Sequence, residues 1–232
     1  METELLRVSP GIAALELDLI GDLACPWTFL GKRSLDRALG SLYGRPVPLL
    51  RWHGLPVRPT ARASWREHFA SRLPQGGGIE SAQRELCEAG EALGVSFAFE
   101  RLSSVPDTHE AHRLVRLAAR SGQQGELIDA LFSAFFEHGR DIGDHAVLGE
   151  VARDCRLEPT THAAFADPEQ GREDVDAEER RMRSLGIAVV PNLLINGRVL
   201  VPGPADVATY VQALDQALFP ELKAPKDRRR LH

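Results

Sequence analysis

The sequence is poor in cysteine, with three in 232 residues, and they are scattered along the chain. A disulfide framework needs an even number of closely spaced cysteines in a short secreted chain, so that class of protein is excluded. The eight histidines and the cysteines also lack the spacings of a closed zinc site, and we expect no metal. The glycine-rich stretch 75–80, "QGGGIE", follows no strand and lacks a lysine, which excludes a phosphate-binding loop.

Long apolar runs and long blocks of one charge are absent too. No window approaches the ~18 apolar residues that a membrane-spanning helix needs. The first 24 residues lack a basic leader, and Glu16, Asp18 and Asp22 interrupt their one apolar run, so we expect no signal peptide. The formal charge of -5 argues against nucleic acid or an anionic membrane as the main partner, and the basic stretch 226–232 is typical of a solvated terminus. We therefore expect a soluble protein of a reducing cytoplasm.

What is present is the pattern of an α/β fold at both ends of the chain. Residues 12–20, "IAALELDLI", alternate with period two and predict a strand. A helix is predicted to start at Pro26 and to end before Gly44, followed by a strand within 46–57. Near the other end, two apolar runs flank Asn196-Gly197, which is a strong hairpin signal, and an amphipathic helix follows.

The middle of the chain is predicted to be helical. Apolar residues at helical spacing predict four or five consecutive helices and no strand between about 60 and 185. One of these helices covers Ile79–Leu93, and another has Asp107 as its N-cap with Glu110 three residues on. We therefore predict one discontinuous domain, residues 1–58 and 186–232, with an all-helical domain, residues 59–185, inserted into it.

The stretch 24–33, "ACPWTFLGKR", contains the candidate catalytic residues. Cys25 directly precedes Pro26, where a helix begins, and a thiol at a helix N-terminus has its thiolate stabilised by free N–H groups and the helix dipole. The second cysteine of a Cys-x-x-Cys redox pair is missing, because Thr28 stands in its place. We expect Cys25 to be the nucleophile and the Thr28 hydroxyl to donate a hydrogen bond to its thiolate, lowering its pKa.

Val190-Pro191 opens a strand in the C-terminal unit. A cis peptide bond at this point would turn the Val190 backbone outward, free to pair with an extended thiol substrate. An ordinary trans proline at the start of a strand is the alternative.

Three segments together resemble the DsbA-like oxidoreductases of the FrnE type. They are "DLACPWTFLGKRSLDRAL", "PDTHEAHRLVRLAARSGQQGELIDALFSAFFEHGRDIGDHAVLGEVA" and "GIAVVPNLLINGRVLVPGPADVATYVQAL". The resemblance implies a thioredoxin fold with an inserted helical domain and a cis-proline loop at Pro191 facing Cys25. Pro26, Trp27, Val190 and Pro191 would then bind the substrate. The related 2-hydroxychromene-2-carboxylate isomerases and kappa-class glutathione transferases use serine in the position of Cys25 and bind glutathione between the domains.

The chain departs from the FrnE pattern at Thr28, where a second cysteine is usual. Without that sulfur, a mixed disulfide on Cys25 has no neighbour to resolve it. Cys155 lies on an apolar stripe and is expected to be a small core residue. Cys87 is expected to be half-buried on its helix, and a resolving role for it is the less favoured alternative. We therefore expect an external thiol such as glutathione to act as co-substrate, with no tightly bound cofactor.

Three further residues are weaker predictions. His53 and His112 are candidates for proton transfer. A histidine in the place of His53 is more often merely hydrogen-bonded, and His112 lies one step from the apolar face of its helix. Asp206 falls where the glutathione-using relatives contact the γ-glutamyl end, but an acidic residue there also complements the helix dipole.

Three functions remain open at this point. The first is thiol–disulfide exchange at a single cysteine, acting on a disulfide-bearing protein or a small thiol. The second is a glutathione-dependent isomerase or transferase, and the third is a redox-inactive binding module. The sequence does not fix the oligomeric state, and a homodimer is one possibility.

Overall fold

The structure is a computed structural model that describes residues 15–41, 48–56, 64–73 and 77–219. Several predicted features lie outside the described residues: the start of the first strand (12–14), the end of the first helix (42–44), the domain boundary at 58/59 and the basic stretch 226–232.

A four-stranded mixed sheet is built from the two ends of the chain. Its strands are β1 (Glu16–Gly21), β2 (Leu49–Gly54), β3 (Asn192–Ile195) and β4 (Val199–Pro202), in the spatial order β2-β1-β3-β4. β2 runs parallel to β1, whereas β3 runs antiparallel to both β1 and β4. The predicted alternation in β1 is confirmed, because Leu17 and Leu19 are fully buried while Glu16 is exposed.

The predicted hairpin joins β3 to β4. Asn196 and Gly197 have φ values of 50° and 63°, the left-handed pair that a tight hairpin turn requires. The apolar run before it is not all strand, because β3 begins at Asn192, one residue after Pro191.

Nine α-helices lie in the described part of the chain. They are α1 (Pro26–Gly40), α2 (Trp65–Ser71), α3 (Ile79–Leu93), α4 (His109–Ala118), α5 (Gln124–Phe132), α6 (His145–Asp154), α7 (Pro159–Ala166), α8 (Arg172–Ser184) and α9 (Val207–Leu218). α2 to α8 separate β2 from β3, and we call residues 64–184 the helical segment. Between β2 and β3 the described residues contain no strand, apart from a single bridge between Ser64 and Ser104. The α/β class with its helical insertion is confirmed.

Two details of the helical prediction are wrong. α4 begins one residue later than expected: Thr108 is its N-cap, and the Asp107 carboxylate accepts from the His109 N–H at 3.0 Å. Glu110 binds Arg113 instead of closing a capping box. α2 and α7 were not predicted, because each is only seven or eight residues long and shows little apolar periodicity.

One aromatic cluster joins α1 to the helical segment. Phe29 is fully buried and stacks on Phe132, with ring centroids 4.9 Å apart, and on Phe136 at 5.9 Å. The Phe97 ring meets Phe29 edge-on at 5.8 Å. Because aromatic pairs in these geometries pack tightly, α1 is held firmly between the sheet and the helical segment. This fixes the position of its N-terminus, where Cys25 lies.

No helix among the described residues combines the length and apolar character needed to cross a bilayer.

Candidate active site

Cys25 is the N-cap residue of α1. The chain leaves β1 at Gly21, turns through Asp22, and the Cys25 N–H donates to the Asp22 backbone carbonyl at 3.2 Å. Pro26 takes the first helical position, where its missing N–H is not needed. The helix therefore starts at Pro26, immediately after Cys25, as predicted.

Cys25 lines a pocket of about 360 Å³. Pro26, Trp27 and Val190 line the same pocket, so three of the four predicted substrate-binding residues lie around the thiol. The peptide bond between Val190 and Pro191 is cis. Pro191 itself is buried behind the pocket and packs against α1 at Gly31, where a Cβ would come within 3.5 Å of its ring.

The opposite wall of the pocket is one face of α2, which the sequence did not predict. Four residues at helical spacing line the pocket: Trp65, His68, Phe69 and Arg72. Phe69 stacks on Trp27 with centroids 5.3 Å apart and on Trp65 at 4.7 Å, which packs the helix against the cysteine loop, residues 22–27. The missed signal was the capping box of Ser64 and Glu67, where each side chain caps the backbone N–H of the other residue.

The Cys25 thiol does not have the lowered pKa expected from its helix position. Burial raises the pKa of Cys25 to about 11, and the negative charge of Asp22 adds to this effect. Hydrogen bonds from the Thr28 hydroxyl and from the Thr28 and Trp27 N–H groups lower the pKa of Cys25, but burial outweighs them. The prediction of a depressed pKa is therefore wrong, although the predicted contribution of Thr28 has the expected sign.

The Thr28 hydroxyl is positioned to donate a hydrogen bond to a Cys25 thiolate. Thr28 is fully buried, and its Oγ1 has no conventional hydrogen-bond partner among the described residues. The hydrogen bond to the Cys25 sulfur is weak while the thiol is neutral, because a thiol sulfur is a weak acceptor. Ionisation of Cys25 strengthens it, because the thiolate is a much better acceptor than the thiol.

A buried polar network lies beneath the cysteine loop. The Asp22 carboxylate, 1% exposed, accepts from the Thr108 hydroxyl at 2.8 Å and contacts His112 Nε2 at 3.2 Å. Trp52 Nε1 donates to His112 Nδ1 at 3.1 Å. Because an indole nitrogen only donates, His112 carries its proton on Nε2 and donates it to Asp22. His112 thus binds Asp22 and does not line the Cys25 pocket.

Gly54 leaves room for this network. A Cβ at Gly54 would lie 2.6 Å from His112 Nδ1, so any other residue would displace the imidazole. Sequence reasoning missed Asp22 and Thr108, since neither belongs to a recognisable motif.

His53 and Asp206 also lie away from the Cys25 pocket. His53, on β2, contacts Asp18 at 2.8 Å through Nε2 and Glu178 through Nδ1. Asp206 caps α9, accepting from the Thr209 N–H at 2.8 Å. It lines a separate cavity of about 1010 Å³, which shares only Trp27 and Pro204 with the Cys25 pocket.

The His53 ion pairs predict a specific pH dependence of stability. Burial disfavours the charged ring, but hydrogen bonds to Glu178 and Asp18 and their charges outweigh it, so the pKa of His53 is raised. The stabilisation is therefore fully present below the unfolded histidine pKa of about 6.5 and is lost as pH rises through the folded value. The pKa values of Asp18 and Glu178 are lowered, so their contribution is present above about pH 4.3 and is lost at lower pH.

We expect His53→Gln to lower the free energy of unfolding by about 1–3 kcal/mol at pH 5.5 and by less at pH 9. Urea unfolding at both pH values measures this, with the exposed His138→Gln as control. An equal loss at the two pH values would contradict the assignment.

Neither of the other cysteines lines the Cys25 pocket. All three cysteines are free. Cys87 is half-buried on α3, as predicted. Cys155, predicted to be a core residue, is only half-buried, because it is the C-cap residue of α6 and packs against the edge of the core. No group of three or more metal-ligating side chains occurs in the described residues.

Known proteins are similar to this chain over most of its length. The DSBA-like thioredoxin domain family matches residues 16–215. The uncharacterized protein YwbO of Bacillus subtilis (strain 168) is 23% identical over 210 residues, covering 86% of this chain and 96% of YwbO.

Two solved structures have the same architecture. A probable DsbA oxidoreductase from Streptomyces coelicolor aligns with a TM-score of 0.72 and 25% identity, covering 94% of this chain and 93% of its own. The cytosolic disulfide reductase DsbM from Pseudomonas aeruginosa, solved with GSH, aligns with a TM-score of 0.57 and 23% identity, covering 89% of this chain and 98% of the DsbM chain. Since the family match spans the sheet, the cysteine loop and the helical segment, the chain belongs to the DSBA-like thioredoxin domain family.

Proposed function

We propose that this protein is a FrnE-type thiol–disulfide oxidoreductase that works through one sulfur, Cys25. The observation that carries the proposal is the placement of Cys25: it lies at the N-terminus of α1 and lines one pocket with Val190. An extended substrate in this pocket has the Val190 backbone on one side and the thiol on the other.

The first step is attack of the Cys25 sulfur on a substrate disulfide. The S–S bond breaks, a Cys25–substrate mixed disulfide forms, and the leaving thiolate takes up the proton that Cys25 gives up. The Thr28 hydroxyl and the N–H groups of Trp27 and Thr28 stabilise the sulfur charge during this step.

The second step needs a thiol from outside the protein. Cys87 and Cys155 do not line the pocket, and Thr28 has no sulfur. An external thiol therefore attacks the mixed disulfide, leaves as a new disulfide with the substrate half, and returns Cys25 to the thiol. Glutathione suits this role, and the shared fold of DsbM, a cytosolic disulfide reductase solved with GSH, supports it. We place the reaction in the cytoplasm, with no tightly bound cofactor.

Single-cysteine variants test this function. We expect Cys25→Ser to lower the rate of 2-hydroxyethyl disulfide reduction by glutathione at least about 100-fold, because serine is a far weaker nucleophile. The Cys87→Ser/Cys155→Ser double variant is the matched control and should keep the wild-type rate. The readout is the oxidised glutathione formed, coupled to NADPH consumption.

Two outcomes would contradict the proposal. Equal rates for Cys25→Ser and the wild type would remove Cys25 from the reaction. Glutathione binding to Cys25→Ser, together with no exchange by the wild type, would favour the glutathione-dependent isomerase or transferase.

A further inference from the structure

The charged groups of the Cys25 pocket are all basic. Among the described residues that line it, only His68 and Arg72 carry ionisable side chains besides the thiol, and no carboxylate does. The chain as a whole has 33 acidic and 28 basic residues. The pocket therefore differs in charge from the protein as a whole.

Both groups are presented by the same face of α2. His68 and Arg72 are four residues apart, so they lie one above the other on the helix. On the same stripe, Phe69 stacks on Trp27, while Trp65 stacks on Phe69 and on Phe99. Arg72, the exposed C-cap residue of α2, lines the same pocket as Cys25.

Arg72 has no acidic partner in the described part of the chain, whereas the neighbouring Arg66 on α2 pairs with Glu80. The pKa of His68 is lowered by burial and by the nearby Arg72 cation, so the ring is neutral near pH 7. Among the described residues that line the pocket, Arg72 therefore carries the permanent positive charge. A guanidinium binds a carboxylate through two parallel hydrogen bonds, which makes it the natural anchor for such a group.

We propose that the Cys25 pocket selects low-molecular-weight disulfides that carry a carboxylate, and that Arg72 binds this carboxylate. The inference rests on the proposed exchange reaction and specifies its substrate class. The volume of about 360 Å³ is at the lower end of the range for small-molecule pockets, which suits a single small substrate.

Three disulfides of similar length and different charge test the proposal: 3,3′-dithiodipropionate (anionic), 2-hydroxyethyl disulfide (neutral) and cystamine (cationic). The measurement is the rate constant for formation of the Cys25 mixed disulfide at pH 7.5 and low salt. We expect the wild type to react at least about tenfold faster with the anion than with the cation, and Arg72→Gln to remove this preference. The neutral disulfide should change less than about twofold.

Matched variants separate charge recognition from folding. Arg72→Lys should keep part of the preference for the anion, and Arg66→Gln, on the same helix but outside the pocket, should keep all of it. Equal rates of the wild type with all three disulfides, or one common loss for all three in Arg72→Gln, would overturn the proposal. So would faster reaction with an acidic peptide disulfide than with dithiodipropionate, since the pocket would then serve protein segments.

A binding measurement keeps this test independent of the proposed reaction. Calorimetry on Cys25→Ala should detect 3-(methylthio)propanoate, with an affinity at least about fivefold higher than for its uncharged amide, and Arg72→Gln should abolish the difference. If no disulfide reacts but this preference holds, the exchange function fails while carboxylate binding by Arg72 stands. If the neutral disulfide reacts and no preference is found, only the carboxylate inference fails.

Discussion

A Thr28→Cys variant is expected to complete its reaction cycle without an external thiol. Thr28 lies one helical turn after Cys25, and its side chain acts directly on the Cys25 sulfur, since its hydroxyl lowers the pKa of that thiol. A sulfur in this place can attack the mixed disulfide, form an internal disulfide with Cys25 and release the substrate half as a thiol. Because the attack is intramolecular, we expect the lifetime of the mixed disulfide to fall at least about 100-fold.

The variant should also fold, since cysteine is no larger than threonine. The Thr28 Cγ2 methyl fills the space beside Gly21, where a Cβ on the glycine would come within 2.4 Å of it, and losing this methyl costs about 1 kcal/mol. Burial of a thiol in place of a hydroxyl that has no conventional partner offsets part of this cost.

Mass spectrometry of the stalled intermediate measures the effect. Wild type mixed with oxidised glutathione and no free thiol should accumulate one glutathione on Cys25, whereas Thr28→Cys should lose it and be two hydrogens lighter than the reduced protein. Thr28→Ser keeps a hydroxyl at this position and serves as the control, with the mixed disulfide retained. A persistent adduct in Thr28→Cys would mean that position 28 cannot reach the substrate-bound sulfur.

The parts of the fold that depend on local patterns were predictable from the sequence. The alternation of β1, the Asn196-Gly197 turn and the bounds of α3 each follow from period, turn chemistry or a left-handed glycine stop at Gly94. α2 is different, since besides its capping box its seven residues are held by the stacking of Trp65 and Phe69 on partners distant in sequence. Such tertiary contacts leave no periodic signal. The division into two domains stays a prediction.

The candidate site also contains residues that local motifs predict and residues that only the tertiary fold brings in. Cys25, Pro26, Trp27 and Val190 lie in motifs, and the structure brings them to one pocket. His68 and Arg72 could not be predicted, because they reach the pocket only through the docking of α2. The pKa of Cys25 was predicted to be lowered, and it is raised. The helix N-terminus is a local feature that the sequence shows, whereas burial depends on the whole fold.

The raised pKa of Cys25 gives the last prediction. With a pKa of about 11, only about one thiol in 3000 is ionised at pH 7.5, against about one in ten for a free cysteine with a pKa near 8.5. A more basic thiolate is intrinsically more nucleophilic, by about tenfold over this interval, so with a disulfide that gains nothing from binding in the pocket the reaction should be roughly 30-fold slower than that of free cysteine. The Cys87→Ser/Cys155→Ser background and a neutral disulfide, 4,4′-dithiodipyridine, isolate this reaction.

The shape of the pH profile shows, better than the rate at one pH, whether burial or the helix N-terminus sets the pKa of Cys25. We expect the rate to rise about tenfold per pH unit from pH 7 to 10 without levelling, whereas free cysteine levels off above about pH 8.5. Asp22→Asn should move the profile to lower pH and raise the rate at pH 7.5 several-fold, because it removes a negative charge that opposes the thiolate. Thr108→Val removes a hydrogen bond to Asp22 but keeps the carboxylate, so its profile should stay close to that of the parent. A plateau below pH 8 in the parent protein would show that the helix N-terminus, and not burial, controls the thiol, and the Thr28 hydroxyl would then be paired with a thiolate at neutral pH.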